Sequence, residues 1–163
     1  MIKRLIWGFV ATLFLVFQFN VGNASAVELS VEDRTVALND SGDTIVLTTE
    51  QYQLGQKVFT NTCSYCHNGG RTKTNPNVTL GGEDLALAEP SRDNITGIVN
   101  FLKNPTSYDG EIDISDLHPN TKRLDLFSAM RNYTDDDLKA VAGYILVQPK
   151  VRGIGWGAGK VYN

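Results

Sequence analysis

The sequence predicts one mainly α domain behind an N-terminal export segment. Three observations carry this expectation. Apolar residues recur at helical spacing in two stretches, at Ile95, Ile98, Val99 and Leu102 and again at Leu138, Val141, Ala142, Ile145 and Leu146. The β-prone runs are confined to residues 35–47. No internal repeat or low-complexity linker divides the chain after the export segment, so one core is expected.

The export segment comes first. Lys3 and Arg4 precede an almost purely apolar run from Leu5 to Phe19, and Ala24-Ser25-Ala26 supplies small residues at A-x-A spacing. This is the three-part pattern of a secretory signal peptide, with cleavage expected after Ala26. An uncleaved anchor is the alternative, because the apolar run is near the lower limit for spanning a bilayer. Either way the domain works beyond a membrane. Residues 1–26 hold two basic and no acidic residues, so their removal takes the net charge from -3 to -5 and leaves 137 of the 163 residues. An acidic domain of that size argues against nucleic acid as a partner.

Residues 27–48 read as a β-hairpin. Thr35-Val36-Ala37-Leu38 and Thr44-Ile45-Val46-Leu47 flank the turn-rich Asn39-Asp40-Ser41-Gly42-Asp43. Thr48 followed by Gln51 forms a capping-box pattern, and Leu54, Val58 and Phe59 place an apolar stripe on the helix that follows. Asn68-Gly69-Gly70 stops it. Asp93 is expected to cap the helix of Ile95 to Leu102, which Asn104-Pro105 ends. Thr134 caps the last helix, and Asp135, Asp136 and Asp137 suit the positive end of its dipole rather than a metal. Pro149 is expected to end that helix. Residues 149–163 then form an irregular tail, in which Gly153, Gly155, Gly157 and Gly159 punctuate Ile154, Trp156, Val161 and Tyr162 without a period. Such a tail can dock on a partner through its aromatic anchors or fold back on its own domain.

The chemistry sits in Cys63-Ser64-Tyr65-Cys66-His67, a C-x-x-C-H run that holds both cysteines and one of the two histidines of the chain. This is an attachment signature for haem: Cys63 and Cys66 supply thioethers to two vinyl groups, and His67 becomes an axial ligand of the iron. A thioredoxin-like pair requires a strand and a βαβ setting, whereas a helical pattern precedes Cys63. Structural zinc requires four ligands, and only Cys63, Cys66, His67 and His118 are on offer, with His67 too close to Cys66 for finger spacing. A Cys63–Cys66 disulfide would close a very short loop and constrain little.

Two side chains compete for the other face of the iron. His118 lies in Leu117-His118-Pro119-Asn120, and Met130 lies just before the last helix. A thioether raises the potential and a second imidazole lowers it, and both pairs satisfy haem iron. The residues alone leave the choice open.

The chain resembles the class I cytochrome c fold, with Gly55 and Phe59 on the first helix matching Val141 and Tyr144 on the last, where the two helices cross. More narrowly, it resembles the low-potential extrinsic cytochrome c of photosystem II, the cytochrome c-550 family. The likeness runs through Lys73-Thr74-Asn75-Pro76, Arg92-Asp93-Asn94-Ile95, Lys103-Asn104-Pro105-Thr106-Ser107-Tyr108-Asp109-Gly110, Leu117-His118-Pro119, Met130-Arg131-Asn132, Ile145-Leu146-Val147 and Trp156-Gly157-Ala158-Gly159-Lys160-Val161-Tyr162. The resemblance implies a mainly α, class I cytochrome c fold with an N-terminal β-hairpin extension and an irregular C-terminal tail. The haem domain then spans residues 49–148. It also implies one covalent c-type haem held through Cys63 and Cys66, with His67 and His118 as axial ligands and Met130 nearby but unbound.

The function so implied is non-enzymatic, with no catalytic residues. The chain would be a lumenal extrinsic subunit that stabilises the oxygen-evolving complex and its calcium and chloride requirement. Its partners would be the photosystem II core and the other extrinsic lumenal subunits, on the lumenal face of a cyanobacterial or algal thylakoid membrane. The alternative is a diffusible lumenal electron carrier. Peroxidase or ligand-binding activity requires an open axial position, which a second histidine ligand opposes.

Overall fold

A computed structural model describes residues 29–157 of the chain. The expected signal peptide and the residues of the tail from 158 onward lie outside the described residues.

The described chain begins with α1 (Val31–Arg34), capped by the Ser30 hydroxyl, and enters a two-stranded antiparallel hairpin, β1 (Thr35–Ala37) and β2 (Thr44–Val46). Val36 faces Ile45 in the register. The turn holds itself together: Asn39 Oδ1 accepts from the backbone N–H groups of Ser41 and Asp43 at 3.0 and 3.3 Å. This is the self-bonding that makes asparagine a turn residue. Gly42 takes a φ of 85° there, a region that favours glycine.

α2 (Thr49–Val58) starts at the expected capping box, in which Thr48 N–H donates to Gln51 Oε1 at 2.8 Å and Gln51 N–H donates to Thr48 Oγ1 at 3.1 Å. The helix then widens into a π-turn over Phe59–Cys63 before the short α3 (Ser64–His67) and a 3-10 turn over Asn68–Gly70. Further on come α4 (Gly82–Ala86), α5 (Ile95–Lys103), a 3-10 turn at Ser128–Met130 and α6 (Asp135–Arg152).

Two boundaries differ from expectation. The cap of α5 is Asn94, whose side chain accepts from Gly97 N–H at 2.8 Å, while Asp93 accepts from the Ser91 hydroxyl instead. Either residue type can cap, and the one whose backbone turns into the helix does so. α6 runs through Pro149 to Arg152. A proline removes one N–H from the ladder. The last turn persists because Gly153 N–H donates to the Pro149 carbonyl and Lys150 Nζ donates to the carbonyls of Thr35 and Glu32. The aspartate run is capping chemistry, as expected: Thr134 and Asp137 form a reciprocal box, and Asp135 pairs with Lys103 at 2.7 Å.

The core forms where α2, α5 and α6 meet, around Val58, Ile98, Leu102, Leu138 and Val141. At the crossing of α2 and α6, a Cβ on Gly55 would lie 2.1 Å from the Ala140 carbonyl oxygen and 2.8 Å from Tyr144 Cβ. Glycine therefore sets how closely these helices approach. Phe59 and Tyr144 pack with ring centroids 5.3 Å apart, as the sequence suggests, but the backbone beneath Gly55 is that of Ala140, and Val141 turns to the cavity described below. The hairpin docks on the same helix, with Leu47 against Gly143. Among the described residues, no helix is long and apolar enough to cross a membrane.

Candidate functional site

The segments from Val58 to Leu80 and from Leu85 to Pro119 close with α6 around a cavity of about 600 Å³. That lies within the range of cofactor sites. Its wall is mostly apolar, with Val58, Leu85, Ile98, Leu102, Leu138 and Ile145, and it carries Cys63, Cys66, His67, His118 and Met130. All residues that the sequence singled out for haem chemistry therefore come together in one place.

The turn after the C-x-x-C-H run is tightly built. Lys73 N–H donates to the Cys66 carbonyl at 3.0 Å, and Leu80 N–H donates to the Gly70 carbonyl at 2.7 Å. Gly69 and Gly70 take φ values of 66° and 80°, and a Cβ on Gly70 would lie 2.7 Å from the Trp156 ring. The indole Nε1 of Trp156 donates to the Leu80 carbonyl at 2.8 Å, and its ring packs on Phe59 at 5.5 Å. As far as Gly157, then, the tail folds back and roofs the haem-motif turn, while Ile154 stays exposed.

Cys63 and Cys66 are not joined in a disulfide. Burial, with Cys66 nearby as a smaller cause, pushes the Cys63 thiol up to about 12. A dithiol redox pair works through a lowered thiol pKa. Cys63 is shifted the opposite way, and a helix rather than the strand of a βαβ unit leads into the motif, so the thioredoxin-like reading finds no support.

The two histidines lie on the cavity wall with ring centroids 6.1 Å apart and ring planes at 54°. Two metal–nitrogen bonds of about 2 Å in line, with two imidazole radii of roughly 1.1 Å, span about 6 Å. One metal ion fits between the rings. His118 Nδ1 lies 2.9 Å from the Pro119 carbonyl oxygen, which only accepts, so the proton sits on Nδ1 and Nε2 keeps its lone pair. His67 Nδ1 is engaged at 3.2 Å by the Thr72 hydroxyl. Outer partners of this kind fix ring orientation and tautomer for a metal. Burial lowers both imidazoles, and burial together with the charge of His67 takes His118 down to about 4. Both rings are thus neutral donors at physiological pH.

Residues missed in the sequence hold His118 in place. Asn120 is fully buried; its Nδ2 donates to the carbonyls of Ser115 and His118 at 2.7 and 2.6 Å, and its Oδ1 accepts from the N–H groups of Lys122 and Arg123, each at 2.8 Å. Phe101 packs edge-on against the His118 ring at 4.7 Å, and Arg92 stacks on Phe101 with Cζ 3.9 Å from the ring centre. An asparagine directly after proline was a turn signal that could have been read further. Nothing local marks Arg92 as buried. On the other side of the cavity, the Tyr133 hydroxyl meets that of Thr62 at 2.6 Å.

A family model described as the cytochrome c-550 domain matches residues 27–163. The chain is 56% identical over 162 residues to photosystem II extrinsic protein V of Picosynechococcus, covering 99% of this chain and 95% of that one. It is likewise 56% identical to photosystem II extrinsic protein V of Nostoc punctiforme, covering 99% of each. The crystal structure of cytochrome c549 superposes with a TM-score of 0.77 at 54% identity, covering 78% of this chain and 99% of that one. The fold is the class I cytochrome c fold, and its cofactor is a c-type haem, for which the apolar cavity beside Cys63 and Cys66 is a fitting site. With the motif, the cavity and the relatives in agreement, the chain belongs to the cytochrome c-550 family.

Proposed function

We propose that the chain is an extrinsic haem subunit on the lumenal face of photosystem II, where it stabilises the oxygen-evolving complex and its calcium and chloride requirement. Cys63 and Cys66 would hold the haem through thioethers, and His67 and His118 would ligate its iron. When bound, the haem supplies one-electron ferric–ferrous chemistry. Met130 sits on the same wall and fills space. The observation that carries the ligand assignment is the 6.1 Å separation of two neutral imidazoles.

A histidine pair donates better to ferric iron than a thioether does, so the potential is low. A strong sixth ligand also leaves no position for peroxide, which supports a non-catalytic role. Association with photosystem II is supported by the names of relatives that match this chain along almost its whole length. The acidic charge and the export pattern suit a soluble lumenal face. We read residues 1–26 as the leader, 27–48 as the hairpin extension, 49–148 as the haem domain and 149–163 as the tail.

Deletion of the chain tests this function. Oxygen evolution by the deletion strain should fall in medium depleted of calcium and chloride and recover on their addition. Unchanged oxygen evolution in the depleted medium would refute it, and rapid exchange of electrons with a soluble lumenal partner would then favour the diffusible carrier.

A further inference from the structure

Arg92 is a buried cation on the wall of the haem cavity, only 9% exposed. Its Nη2 donates to the carbonyls of Thr106 and Ser107 at 3.2 and 2.8 Å, and its plane stacks on Phe101. Its Nε is buried without a hydrogen-bond partner. Among the described residues no carboxylate pairs with it: the acid on the same cavity wall, Asp84, is engaged by the N–H and hydroxyl of Thr79 at 2.7 and 2.5 Å. A buried guanidinium with spare donors and no counter-ion calls for an anion, and a carboxylate matches its fork geometry.

The backbone delivers Arg92 to that position with little freedom. Its N–H donates to the Leu85 carbonyl at 2.8 Å. A Cβ on Gly97 would lie 2.4 Å from the Ser91 carbonyl oxygen and 3.3 Å from Arg92 Cα, so glycine at 97 lets α5 press against this segment. The cofactor of this cavity brings carboxylates of its own, the two propionate side chains of the porphyrin.

We infer that the Arg92 guanidinium is the counter-ion that receives a haem propionate inside the cavity. The inference rests on the haem occupying this cavity as proposed above. Arg92 then fixes the porphyrin's orientation at one edge and, through Phe101, bears on the ring of His118. Its charge near the iron favours the ferrous state, since reduction adds an electron beside a cation.

The test uses the full holoprotein. With carboxyl-carbon-13 haem and nitrogen-15 arginine, solid-state magnetic resonance on the wild type should show dipolar coupling between a propionate carbon and a guanidinium nitrogen, and Arg92→Lys should abolish it. No coupling in the loaded wild type would overturn the inference, as would coupling that survives in Arg92→Lys and therefore belongs to another arginine. In potentiometry, Arg92→Gln should favour ferric iron by about tenfold, a fall of about 59 mV for one electron, with Arg92→Lys close to wild type. A wild-type potential in Arg92→Gln would also overturn it. Should Arg92→Gln fail to load haem, the wild-type coupling alone decides. A wild-type spectrum without histidine pairing would instead strike the ligand assignment and leave the propionate coupling to be judged separately.

Discussion

Replacing Gly55 by alanine probes the crossing of α2 and α6 that frames the haem cavity. An ideal Cβ at 55 falls 2.1 Å from the Ala140 carbonyl oxygen, 2.7 Å from its carbon and 2.8 Å from Tyr144 Cβ. The shortest of these must open by more than 1 Å to reach ordinary contact, and the obstacle is helix backbone rather than a side chain that can rotate. Overpacking of this kind costs about 1–3 kcal/mol, with backbone obstacles at the upper end. Alanine returns up to about 1 kcal/mol through its better helix propensity. The net loss expected is about 2 kcal/mol, which for a domain of this size lowers the melting temperature by about 6–10 °C. Chemical and thermal unfolding of the holoprotein measure it. Gln56→Ala, at an exposed position on the same helix, serves as the control and should stay within about 0.5 kcal/mol of wild type. A Gly55→Ala protein as stable as wild type would show that the helices do not meet through this glycine.

Four further outcomes follow from the same structure. Asn120→Ala leaves the Ser115 and His118 carbonyls without their buried donor, at about 1–3 kcal/mol each. It should loosen the sixth ligand, and a purely low-spin ferric spectrum in that variant would count against the role given to Asn120. Trp156→Ala removes a buried indole and its bond to Leu80, and should cost about 3–5 kcal/mol in denaturant unfolding; a loss below about 1 kcal/mol would show that the tail does not seal the core. His118→Ala should open the iron to cyanide, and failure to bind cyanide would assign the sixth position elsewhere. The pH response has a fixed sign. Burial holds His118 neutral in the fold, and ligation to iron would do the same, whereas the unfolded ring takes a proton near 6.5, so its contribution is whole above 6.5 and falls as pH drops below that value. Stability of the holoprotein in urea titrations should therefore fall between about pH 7.5 and pH 4, and a flat profile would contradict the neutral state assigned to that ring.

Features set by neighbouring residues could be read from the sequence. The boxes at Thr48 and Thr134 follow from side chains bonding the first free N–H groups of a helix, which requires nothing distant. The periodicity of Ile95 to Leu102 likewise marked the buried face of α5. The C-x-x-C-H run marked its cofactor because the chemistry is local too. Features decided by distant contacts were not legible. Pro149 reads as a stop, yet Lys150 reaches back to α1 and β1 and keeps the last turn wound. Asp93 and Asn94 are both competent caps, and only the path of the chain selects Asn94. The π-turn at Phe59–Cys63 leaves no mark in residue type. Arg92 looks like a surface charge until the fold buries it under Phe101. Residue type alone left His118 and Met130 open and the family resemblance pointed to His118; both reach the cavity wall, and the 6.1 Å between the two histidine rings is compatible with the pairing proposed above.

The central claim is that His67 and His118 hold one iron between them. Near-infrared magnetic circular dichroism of the oxidised holoprotein tests it most directly, because a sulfur-to-iron charge-transfer band reports a methionine ligand and a porphyrin-to-iron band reports the strength of two nitrogen donors. Ligation by both histidines should give a low-spin signature of two imidazoles that is unchanged in Met130→Leu. A sulfur-to-iron band in the wild type, lost in Met130→Leu, would contradict it.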